Sequence, residues 1–423
     1  MSRQSCLPSS LRSASAARDR AAAVTPPLSI GVVTAYLDHA ATTALSASAQ
    51  AAMSAAALTV GNPSSLHAAG RAARSLVEDA RERIAGAFDA VPGDVVFTAG
   101  ATEADNLAII GLHRAQRAVD PRRRLVIASP TEHHAVLEAI DYLISHEGAH
   151  VHWLAVDSDG VVDLDDLRAV LAAGDAEVLP ALVAVMAANN ETGTRQPLSA
   201  ISRLCAEAAV PWHCDAVQAA AWVRVSFAQL GCATMAISAH KLGGPVGIGA
   251  LFIAAGVDIA PINFGGGQER KLRSGTVNTA AVSGFAAAVD ERVRWIDAGG
   301  ADQVAHLRDA LIAGIVEADP QAVVNGGGTV LPSIANITFP GCEADALLML
   351  LDAAGVHCSL GAACTAGVPE PSHVLLAMGA GAAAARASLR FSLGMGSTAA
   401  DVATVVAALP AAVAKARAAV MSR

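Results

Sequence analysis

Short apolar runs alternate with longer segments of helical periodicity from about residue 60 to residue 290. This alternation is typical of a mostly parallel β-sheet covered by helices, because parallel strands need a crossover connection between them. The runs that read as strands are residues 95–98, 125–129, 151–154, 182–186, 212–215, 234–238 and 250–253. The pattern therefore predicts an α/β protein whose large domain contains a mostly parallel seven-stranded sheet.

The most regular helical pattern lies between residues 66 and 88. Charged residues, Arg81 among them, occupy the positions between its apolar ones. The apolar positions, spaced three or four residues apart, are Leu66, Ala69, Ala73, Leu76, Val77, Ala80, Ile84 and Phe88. This spacing predicts an amphipathic helix that has Arg81 on its polar face.

The pattern changes after about residue 290. A long helical stretch precedes a strand-like run at 334–339, a helical run at 344–353, a strand-like run at 389–393 and a final helix. Thr398 and Asp401 have the spacing of a capping box for that helix, and Pro410 is expected to kink or end its first part. We expect a large domain over residues 35–290, whose first residues pack with a smaller α+β domain over residues 291–423.

Composition and charge exclude several classes of protein. The hydrophobic share of 53% is largely alanine, and no run of about 18 strongly apolar, uncharged residues appears, so no membrane span is expected. The net charge of −9 argues against nucleic acid or an anionic membrane as a partner. The cysteines favour reduced thiols in the cytoplasm, because Cys6, Cys205, Cys214, Cys232, Cys342, Cys358 and Cys364 include no C-x-x-C pair.

Residues 1–34 differ from the rest of the chain. Ser, Ala and Arg dominate there, with a single acid, Asp19, and the break Pro26-Pro27. An Arg- and Ser-rich leader that is poor in acids is typical of a transit peptide. We favour a disordered tail, or a start codon assigned too early in an alanine- and arginine-rich reading frame.

Two residues at the ends of predicted strands carry the first chemical signal. Lys241 follows the run 234–238, and Asp215 ends the run 212–215. Pyridoxal 5′-phosphate (PLP) needs such a pair, because the amine forms a Schiff base and the carboxylate keeps the ring nitrogen protonated. The chain has only three lysines, Lys241, Lys271 and Lys415, so Lys241 is not easily dismissed as a surface residue. Asp215 by itself could equally be a helix cap.

Other polar residues follow other predicted strands. The segment Gly100-Ala101-Thr102-Glu103 leads from a strand into a helical pattern, where amides and the Thr102 hydroxyl could bind an anion. Thr before Glu is also an ordinary helix cap. His133 could stack on a cofactor or move a proton, although a lone histidine there is more often incidental. Asn190 could belong to a simple turn, and Gln218 could face the same ligand as Asp215 or solvent.

Two further candidates lie in the C-terminal part. Cys364 follows Ser359-Leu360-Gly361-Ala362-Ala363, and an exposed thiol on such a small-residue loop is a candidate nucleophile. The alternative is a small buried cysteine in a Gly/Ala turn. Arg390 lies within an apolar strand pattern, so it needs an anionic partner, either a substrate carboxylate or a structural ion pair.

The order of these signals along the chain resembles that of a known family. The matching segments are residues 36–43, 61–65, 100–103, 131–133, 189–193, 215–218, 240–241, 265–270, 273–276 and 390–394. From about Tyr36 to the C-terminus the chain resembles the cysteine desulfurases of the NifS/IscS type. These belong to the class V aminotransferase group of the fold-type I PLP-dependent transferases.

The resemblance implies an enzyme that removes sulfur from L-cysteine, giving L-alanine and a persulfide on Cys364. It implies that Lys241 holds PLP as a Schiff base, that Asp215 pairs with the ring nitrogen and that His133 stacks on the ring as a catalytic residue. Asn190 and Gln218 would contact the ring hydroxyl side, while Arg390 and Asn190 would bind the substrate. The phosphate would be bound by Ala101, Thr102, Ser238 and His240, with Thr276 of the partner subunit of a homodimer.

The sulfur would then pass to an iron–sulfur scaffold protein or another acceptor, and the Cys364 loop would have to move to deliver it. No intrinsic metal site is expected, although Cys364 could share an iron–sulfur cluster with a scaffold. The chain departs from the family where Ala239 replaces a usual glycine and Ala44 a usual proline. A methyl at Ala239 could tighten the phosphate site. Leu360 and Ala362 replace the more frequent serines.

Alternatives to this function stay open at this point. The pair Ala362-Ala363 also resembles selenocysteine lyases, so a selenocysteine lyase or another class V PLP lyase or transaminase is possible. A catalytically silent scaffold or sulfur-relay protein is a third hypothesis, and the complete set of Lys241, Asp215 and Cys364 argues against it. Cys358 is either an inert thiol, which we favour, or resolves the persulfide as an internal disulfide.

Overall fold

The computed structural model describes residues 34–173, 177–360 and 370–421. The predictions for the N-terminal tail up to residue 33, for Ala362 and for Cys364 therefore lie outside the described residues. Within these ranges the chain forms three β-sheets, with helices between and around their strands.

The strands described are β1 (Ala35–Tyr36), β2 (Val95–Thr98), β3 (Arg123–Ala128), β4 (His150–Trp153), β5 (Leu179–Ala184), β6 (Trp212–Asp215), β7 (Thr234–Ser238), β8 (Gly249–Ile253), β9 (Val323–Asn325), β10 (Ile334–Thr338), β11 (Val356–His357) and β12 (Ser388–Ser392). The helices described are α1 (Ala47–Ala57), α2 (Ala68–Ala87), α3 (Ala101–Val119), α4 (His134–Glu147), α5 (Leu164–Ala172), α6 (Leu198–Glu207), α7 (Phe227–Leu230), α8 (Thr279–Asp297), α9 (Gly300–Ala318), α10 (Ala344–Ala353), α11 (His373–Ala377), α12 (Ala382–Arg386) and α13 (Ala399–Met421).

The largest sheet has seven strands in the order β2-β8-β7-β6-β5-β3-β4. Strand β8 runs antiparallel to both of its neighbours, and the remaining pairs are parallel. The predicted mostly parallel seven-stranded sheet is thus confirmed. Strand β5 begins at Leu179 and not at 182, because backbone pairing with Arg123 and Leu125 of β3 extends through Pro180, which an apolar pattern does not reveal.

Alternating side chains of this sheet enter two separate cores. Val96, Val126, Leu182 and Leu251 face α3 and α4, while Phe97, Ile127, Val183 and Phe252 belong to the larger core that includes α2, α6 and α8. Since neighbouring residues of a strand point to opposite faces, apolar runs without polar interruptions are expected for strands covered on both sides. This explains why the central strands read as continuous apolar runs.

The other two sheets involve the C-terminal part of the chain. Strand β10 lies between β12 and β9 and is antiparallel to both. Strand β1 pairs in parallel with β11, so Ala35 and Tyr36 lie beside Val356 and His357. The division into domains at residue 290 stays a prediction, and α8 runs through that position.

Helix α2 forms where the amphipathic pattern predicts it, with two differences. Leu66 precedes the helix and is 83% exposed. Arg81 is buried, contrary to the prediction, because Glu269 forms a two-pronged ion pair with it at 2.7 and 2.8 Å. Helical periodicity cannot reveal this partner, which lies 188 residues further along the chain.

Helix α13 begins with the predicted capping box. The Thr398 amide donates to Asp401 Oδ2 at 2.7 Å, and the Asp401 amide donates to Thr398 Oγ1 at 3.4 Å. Pro410 does not end the helix, which continues to Met421. By length and composition α13 could cross a membrane. In this fold it packs on α9 and α10, with Val405 and Leu409 buried.

Candidate active site

The carboxyl ends of β2, β3, β5, β6 and β7 surround a cavity of about 870 Å³. Such a crevice is where ligands of open α/β sheets bind. Ten predicted site residues line it: Ala101, Thr102, His133, Asn190, Asp215, Gln218, Ser238, His240, Lys241 and Arg390. Of the other two, Thr276 is exposed and does not line the cavity of its own subunit, and Cys364 lies outside the described residues.

Lys241 lies in the 3₁₀ turn Ala239–Lys241 that follows β7. Its Nζ donates to the carbonyl oxygens of Ala40 and Ala41, both at 2.6 Å. Burial lowers the pKa of Lys241 to about 8 and the charge of Arg390 acts in the same direction, while Asp215 opposes them. The amine can therefore lose its proton near physiological pH, as a nucleophilic amine must.

Asp215 ends β6 and is buried. Its Oδ1 accepts a hydrogen bond from the Val217 amide at 2.9 Å, so it stabilises a local turn as well as facing the cavity. Burial raises the pKa of Asp215 to about 6, against the opposing effects of the Val217 amide and Lys241. A cationic group bound in the cavity would favour the ionised carboxylate further.

Behind Asp215 lies a group of buried acids that sequence reasoning missed. Asp105 Oδ1 is 3.1 Å from His213 Nε2, and His213 Nδ1 is 2.9 Å from Thr234 Oγ1. Burial raises the pKa of Asp105 far above its ordinary value and lowers the pKa of His213 to about 3. Burial also raises the pKa of Glu132 to about 8. The sequence does contain a signal for Asp105, because it is an acidic residue among the apolar residues of the buried face of α3.

Two of the four histidines that line the cavity, His133 and His240, are neutral at pH 7. His133 caps α4, and its Nδ1 accepts from the Ala135 amide at 3.1 Å, so the ring proton is on Nε2. Burial, reinforced by Lys241, lowers the pKa of His133 to about 4. The pKa of His240 also falls to about 4, for the same two reasons. Neutral rings suit contact with a flat cofactor or hydrogen bonding at neutral pH.

The predicted anion-binding turn is present between β2 and α3. Gly100 is the cap residue of α3, which begins at Ala101, so Thr102 is the second residue of the helix. The turn packs tightly on β8, since a Cβ at Gly249 would lie 2.8 Å from the Gly100 carbonyl carbon. Glycine at 249 is therefore required for this approach. The first amides of a helix are suited to bind phosphate.

Arg390 forms the structural ion pair that one of the two accounts of its role requires. Its Nη2 pairs with Asp38 Oδ1 at 2.7 Å, and its Nη1 donates to the Asn190 carbonyl at 3.0 Å. Its Nε is buried and has no hydrogen-bond partner among the described residues. A structural ion pair thus positions the guanidinium on the cavity wall, where the second N–H groups of Nη1 and Nη2 remain as donors.

Ala239, one of the departures from the family pattern, lies in a closely packed position. Ala239 is fully buried and its methyl lies 2.9 Å from where a Cβ at Gly244 would be. It does not line the cavity, so the expectation that this methyl tightens the phosphate site is wrong.

Gln218 donates from Nε2 to the Ala40 carbonyl at 2.9 Å, which fixes its amide at the cavity.

Cys358 has the properties of an inert thiol. It is only partly exposed, and burial with the nearby charges of Asp38 and Asp352 raises its pKa to about 12. The thiolate needed for exchange is thus disfavoured. All five cysteines in the described ranges, Cys205, Cys214, Cys232, Cys342 and Cys358, are free thiols. Those ranges contain no group of three or more His, Cys, Asp or Glu residues that could bind a metal.

The residues present fit PLP. The cavity has the volume of a cofactor site, and its lining includes the partly exposed Lys241 and the buried acid Asp215. Two residues of its lining also have buried polar atoms that lack partners in the described ranges, namely Asp105 Oδ2 and Arg390 Nε. Unpaired buried polar atoms are costly, so their presence around one cavity indicates a polar ligand.

Comparison with known proteins agrees with this geometry. The aminotransferase class-V family pattern matches residues 35–405. An IscS-like cysteine desulfurase from Mycobacterium tuberculosis is 48% identical over 92% of this chain and 98% of its own length. The cysteine desulfurase NifS of Azotobacter vinelandii is 38% identical over 84% of this chain and 87% of its own length. The solved structure of a NifS-like protein, 32% identical, superposes with a TM-score of 0.82 and covers 90% of this chain and 100% of that one.

These matches cover nearly all of the described residues, including every strand that borders the cavity. The chain therefore belongs to the aminotransferase class-V family and, within it, to the PLP-dependent cysteine desulfurases of the IscS/NifS type.

Proposed function

We propose that Cys364 receives the sulfur of L-cysteine as a persulfide, with Lys241, Asp215 and Arg390 arranging cofactor and substrate in the cavity. The observation that carries the proposal is the convergence of these three side chains on one cavity. PLP, when bound, withdraws electrons from the substrate carbons and so weakens the bond between Cβ and sulfur. The thiolate of Cys364 would attack that sulfur, and the carbon would finally take a proton to give alanine.

The roles of the cavity residues follow from their charges. Lys241 has a lowered pKa, so its amine can bind the cofactor aldehyde and later give or take a proton beside the substrate. Arg390, anchored by Asp38, would bind the substrate carboxylate through the remaining N–H groups of its two Nη atoms, beside Asn190. His133, neutral and with its proton on Nε2, would stack on the ring or pass a proton.

The phosphate would lie at the start of α3. Ala101 and Thr102 offer amides there, and Ser238 and His240 face the same cavity from the end of β7. Gln218 and Asn190 would lie on the hydroxyl side of the ring. These assignments follow the resemblance residue by residue, and their common support is that all six side chains or amides line one cavity.

Two copies of the chain would form a homodimer in which Thr276 of the partner subunit completes the phosphate site. The homodimer is supported by large apolar side chains that are exposed in the single subunit, because large exposed apolar patches commonly mark protein–protein interfaces. Those between 74% and 86% exposed include Leu58, Val60, Leu66, Val246 and Phe264. Val246 is also part of the cavity lining.

Sedimentation velocity of a Phe264→Asp variant tests the dimer. We expect a shift to monomer together with weaker PLP retention. A Met349→Asp variant is the matched control, because Met349 is 72% exposed on a different helix, α10. A Phe264→Asp protein that stays dimeric would argue against this interface.

The enzyme acts on cysteine and passes sulfur to an acceptor, as its family implies. We propose an iron–sulfur scaffold protein as that acceptor and the cytoplasm as the location. The location is supported by the five free thiols in the described ranges.

Mass spectrometry after mixing with cysteine tests the persulfide. We expect an adduct of about 32 Da, one sulfur atom, on the peptide that contains Cys364. Cys364→Ser should abolish both the adduct and alanine release, whereas Cys358→Ser should change neither. Full activity of Cys364→Ser on cysteine would refute thiol attack by this residue. Parallel incubation with selenocysteine measures the preference between sulfur and selenium.

A further inference from the structure

Glu103 creates an electrostatic problem at the proposed phosphate position. It belongs to the first turn of α3 and is part of the cavity lining. A negative side chain stabilises the start of a helix. The same charge repels a phosphate dianion that binds to the same helix start.

Arg273 resolves this problem from outside the cavity. Its Nε lies 2.9 Å from Glu103 Oε1, and both side chains are 22% exposed. The second carboxylate oxygen of Glu103 accepts from the Ala99 amide at 2.6 Å. Both oxygens of Glu103 are therefore occupied, one by a cation and one by the backbone of the phosphate turn. Arg273 itself does not line the cavity.

The segment that presents Arg273 is anchored by a second ion pair. Glu269 accepts from Arg81 Nη1 and Nη2 at 2.8 and 2.7 Å and from the Phe97 amide at 2.8 Å. The Arg81 guanidinium lies 4.6 Å from the centre of the Phe97 ring. Because Phe97 belongs to β2, these contacts tie the segment to the strand that leads into the phosphate turn.

The backbone between the two anchors is strained. Glu269, Arg270 and Lys271 have φ angles of 43°, 58° and 65°, in the left-handed region that residues other than glycine seldom adopt. Such strain persists only where the surroundings impose it. Here the first strained residue, Glu269, is fixed by its buried pair with Arg81. The pair between Arg273 and Glu103 fixes the chain two residues after the last one, Lys271.

We propose that Arg273 is a positioning residue for the cofactor phosphate: by pairing with Glu103 it neutralises the negative charge beside the phosphate. This inference rests on the proposed location of the phosphate at α3. Loss of Arg273 leaves the Glu103 carboxylate without a cation beside the phosphate, and PLP binding weakens. Loss of both side chains removes the repulsion and restores binding.

The test is the dissociation constant of PLP for the full-length enzyme, measured by absorbance on re-addition of cofactor to depleted protein. We expect Arg273→Gln to weaken PLP binding about tenfold, because the Glu103 carboxylate without its cation would repel the phosphate. Glu103→Gln and the double variant Glu103→Gln/Arg273→Gln should remain within about threefold of wild type. Arg273→Lys, which keeps the charge, should recover part of the loss.

Two controls separate this effect from general damage. Pyridoxal, which lacks the phosphate, should bind wild type and Arg273→Gln equally. Arg83→Gln breaks a pair between Arg83 of α2 and Asp290, at 2.8 Å, in which neither residue lines the cavity, and should leave PLP affinity unchanged. The inference is overturned if Arg273→Gln weakens pyridoxal as much as PLP, or if the double variant is as weak as Arg273→Gln. Failure of the proposed function would instead show as a wild type that forms no persulfide from cysteine.

Discussion

Lys241, Asp215 and His133 face one cavity, and burial shifts the pKa of the two bases and of the acid in opposite directions. Burial disfavours the charged form of every group, so it lowers the pKa of Lys241 to about 8 and of His133 to about 4, and raises that of Asp215 to about 6. At pH 7.5 the histidine is therefore neutral and Asp215 is mostly ionised. A lysine and an acid that both titrate near neutrality are what a proton-transferring cofactor site needs.

Covalent attachment of PLP tests the choice of lysine. Borohydride treatment of the wild type should leave PLP on the peptide that contains Lys241, because only a nucleophilic amine inside the cavity can hold the cofactor aldehyde. Lys241→Ala should lose both the adduct and turnover of cysteine, as measured by mass spectrometry and alanine release. Lys415→Gln, on α13, is the control and should retain both. An adduct that persists in Lys241→Ala would identify a different lysine.

Glu132 predicts a pH dependence of stability. Its pKa rises from 4.5 to about 8 on folding, chiefly through burial. Between these pH values the folded protein keeps a proton that the unfolded chain has lost, so the free energy of unfolding falls as the pH rises through this window. Glu132→Gln should remove this part of the decline, by up to a few kcal/mol, since one pKa unit corresponds to about 1.4 kcal/mol.

Urea unfolding of wild type and Glu132→Gln at pH 5.5 and pH 8.5, with saturating PLP, measures the difference. Relative to wild type, the variant should gain stability at the higher pH. Glu138→Gln, an exposed substitution on α4, should follow the wild type at both. Parallel pH profiles for Glu132→Gln and wild type would contradict the prediction.

At the scale of elements, the site exists because several strands end at the same edge of the sheet. Strands β5, β6 and β7 are parallel neighbours, so the residues that follow them meet at one crevice. Local end signals also determine the last helix, where the capping box of Thr398 and Asp401 is formed as its spacing indicates. Pro410 was a poor local signal for the end of this helix, because α13 continues to Met421 and its buried face extends beyond the proline.

Thr398→Ala tests the capping box. The substitution removes the hydroxyl that accepts from the Asp401 amide, and loss of such a cap costs about 1 kcal/mol of the free energy of unfolding. Thr404→Ala, in the same helix, removes a hydroxyl that donates to the Ala400 carbonyl and should have a smaller effect. Equal destabilisation of the two variants in urea would show that the cap contributes little.

At the scale of the whole molecule, ion pairs with at least one buried partner connect distant parts of the chain. Arg81 and Glu269 join α2 to the segment that carries Arg273. Arg417 of α13 joins Asp319 at 2.7 Å just beyond the end of α9. Breaking a buried pair leaves an unpaired charge in the interior, which costs more than the pair contributes. These pairs therefore specify which segments lie together.

Arg81→Met should be strongly destabilising for this reason. We expect a loss of about 3 kcal/mol in the free energy of unfolding, because Glu269 stays buried without its cation. The double variant Arg81→Met/Glu269→Gln should lose less than the sum of the single variants. Arg83→Gln, whose pair with Asp290 is partly exposed, should lose roughly 1 kcal/mol or less. Additive effects in the double variant would argue that the two residues act separately.

The sequence by itself determined the α/β class, the seven strands of the main sheet, the positions of α2 and α13, and ten residues of the cavity lining. The elements follow from apolar periodicity and end signals, and residues such as Lys241 and Asp215 from their places at strand ends, all local properties of the chain. Others of the ten, Ser238 and His240 among them, were implied by the resemblance to the family. The first residue of a strand was predicted less well: β5 begins at Leu179 and not at residue 182, because backbone pairing does not depend on side-chain polarity.

Only the tertiary structure decided which charges meet. The pairing of Arg81 with Glu269, of Arg273 with Glu103 and of Asp105 with His213 joins residues 188, 170 and 108 positions apart. No periodicity extends over such distances, and burial, which sets the protonation of these groups, exists only once the segments have packed. The charge of the cofactor cavity is therefore a property of the fold, while the residues that line it could be predicted from the chain.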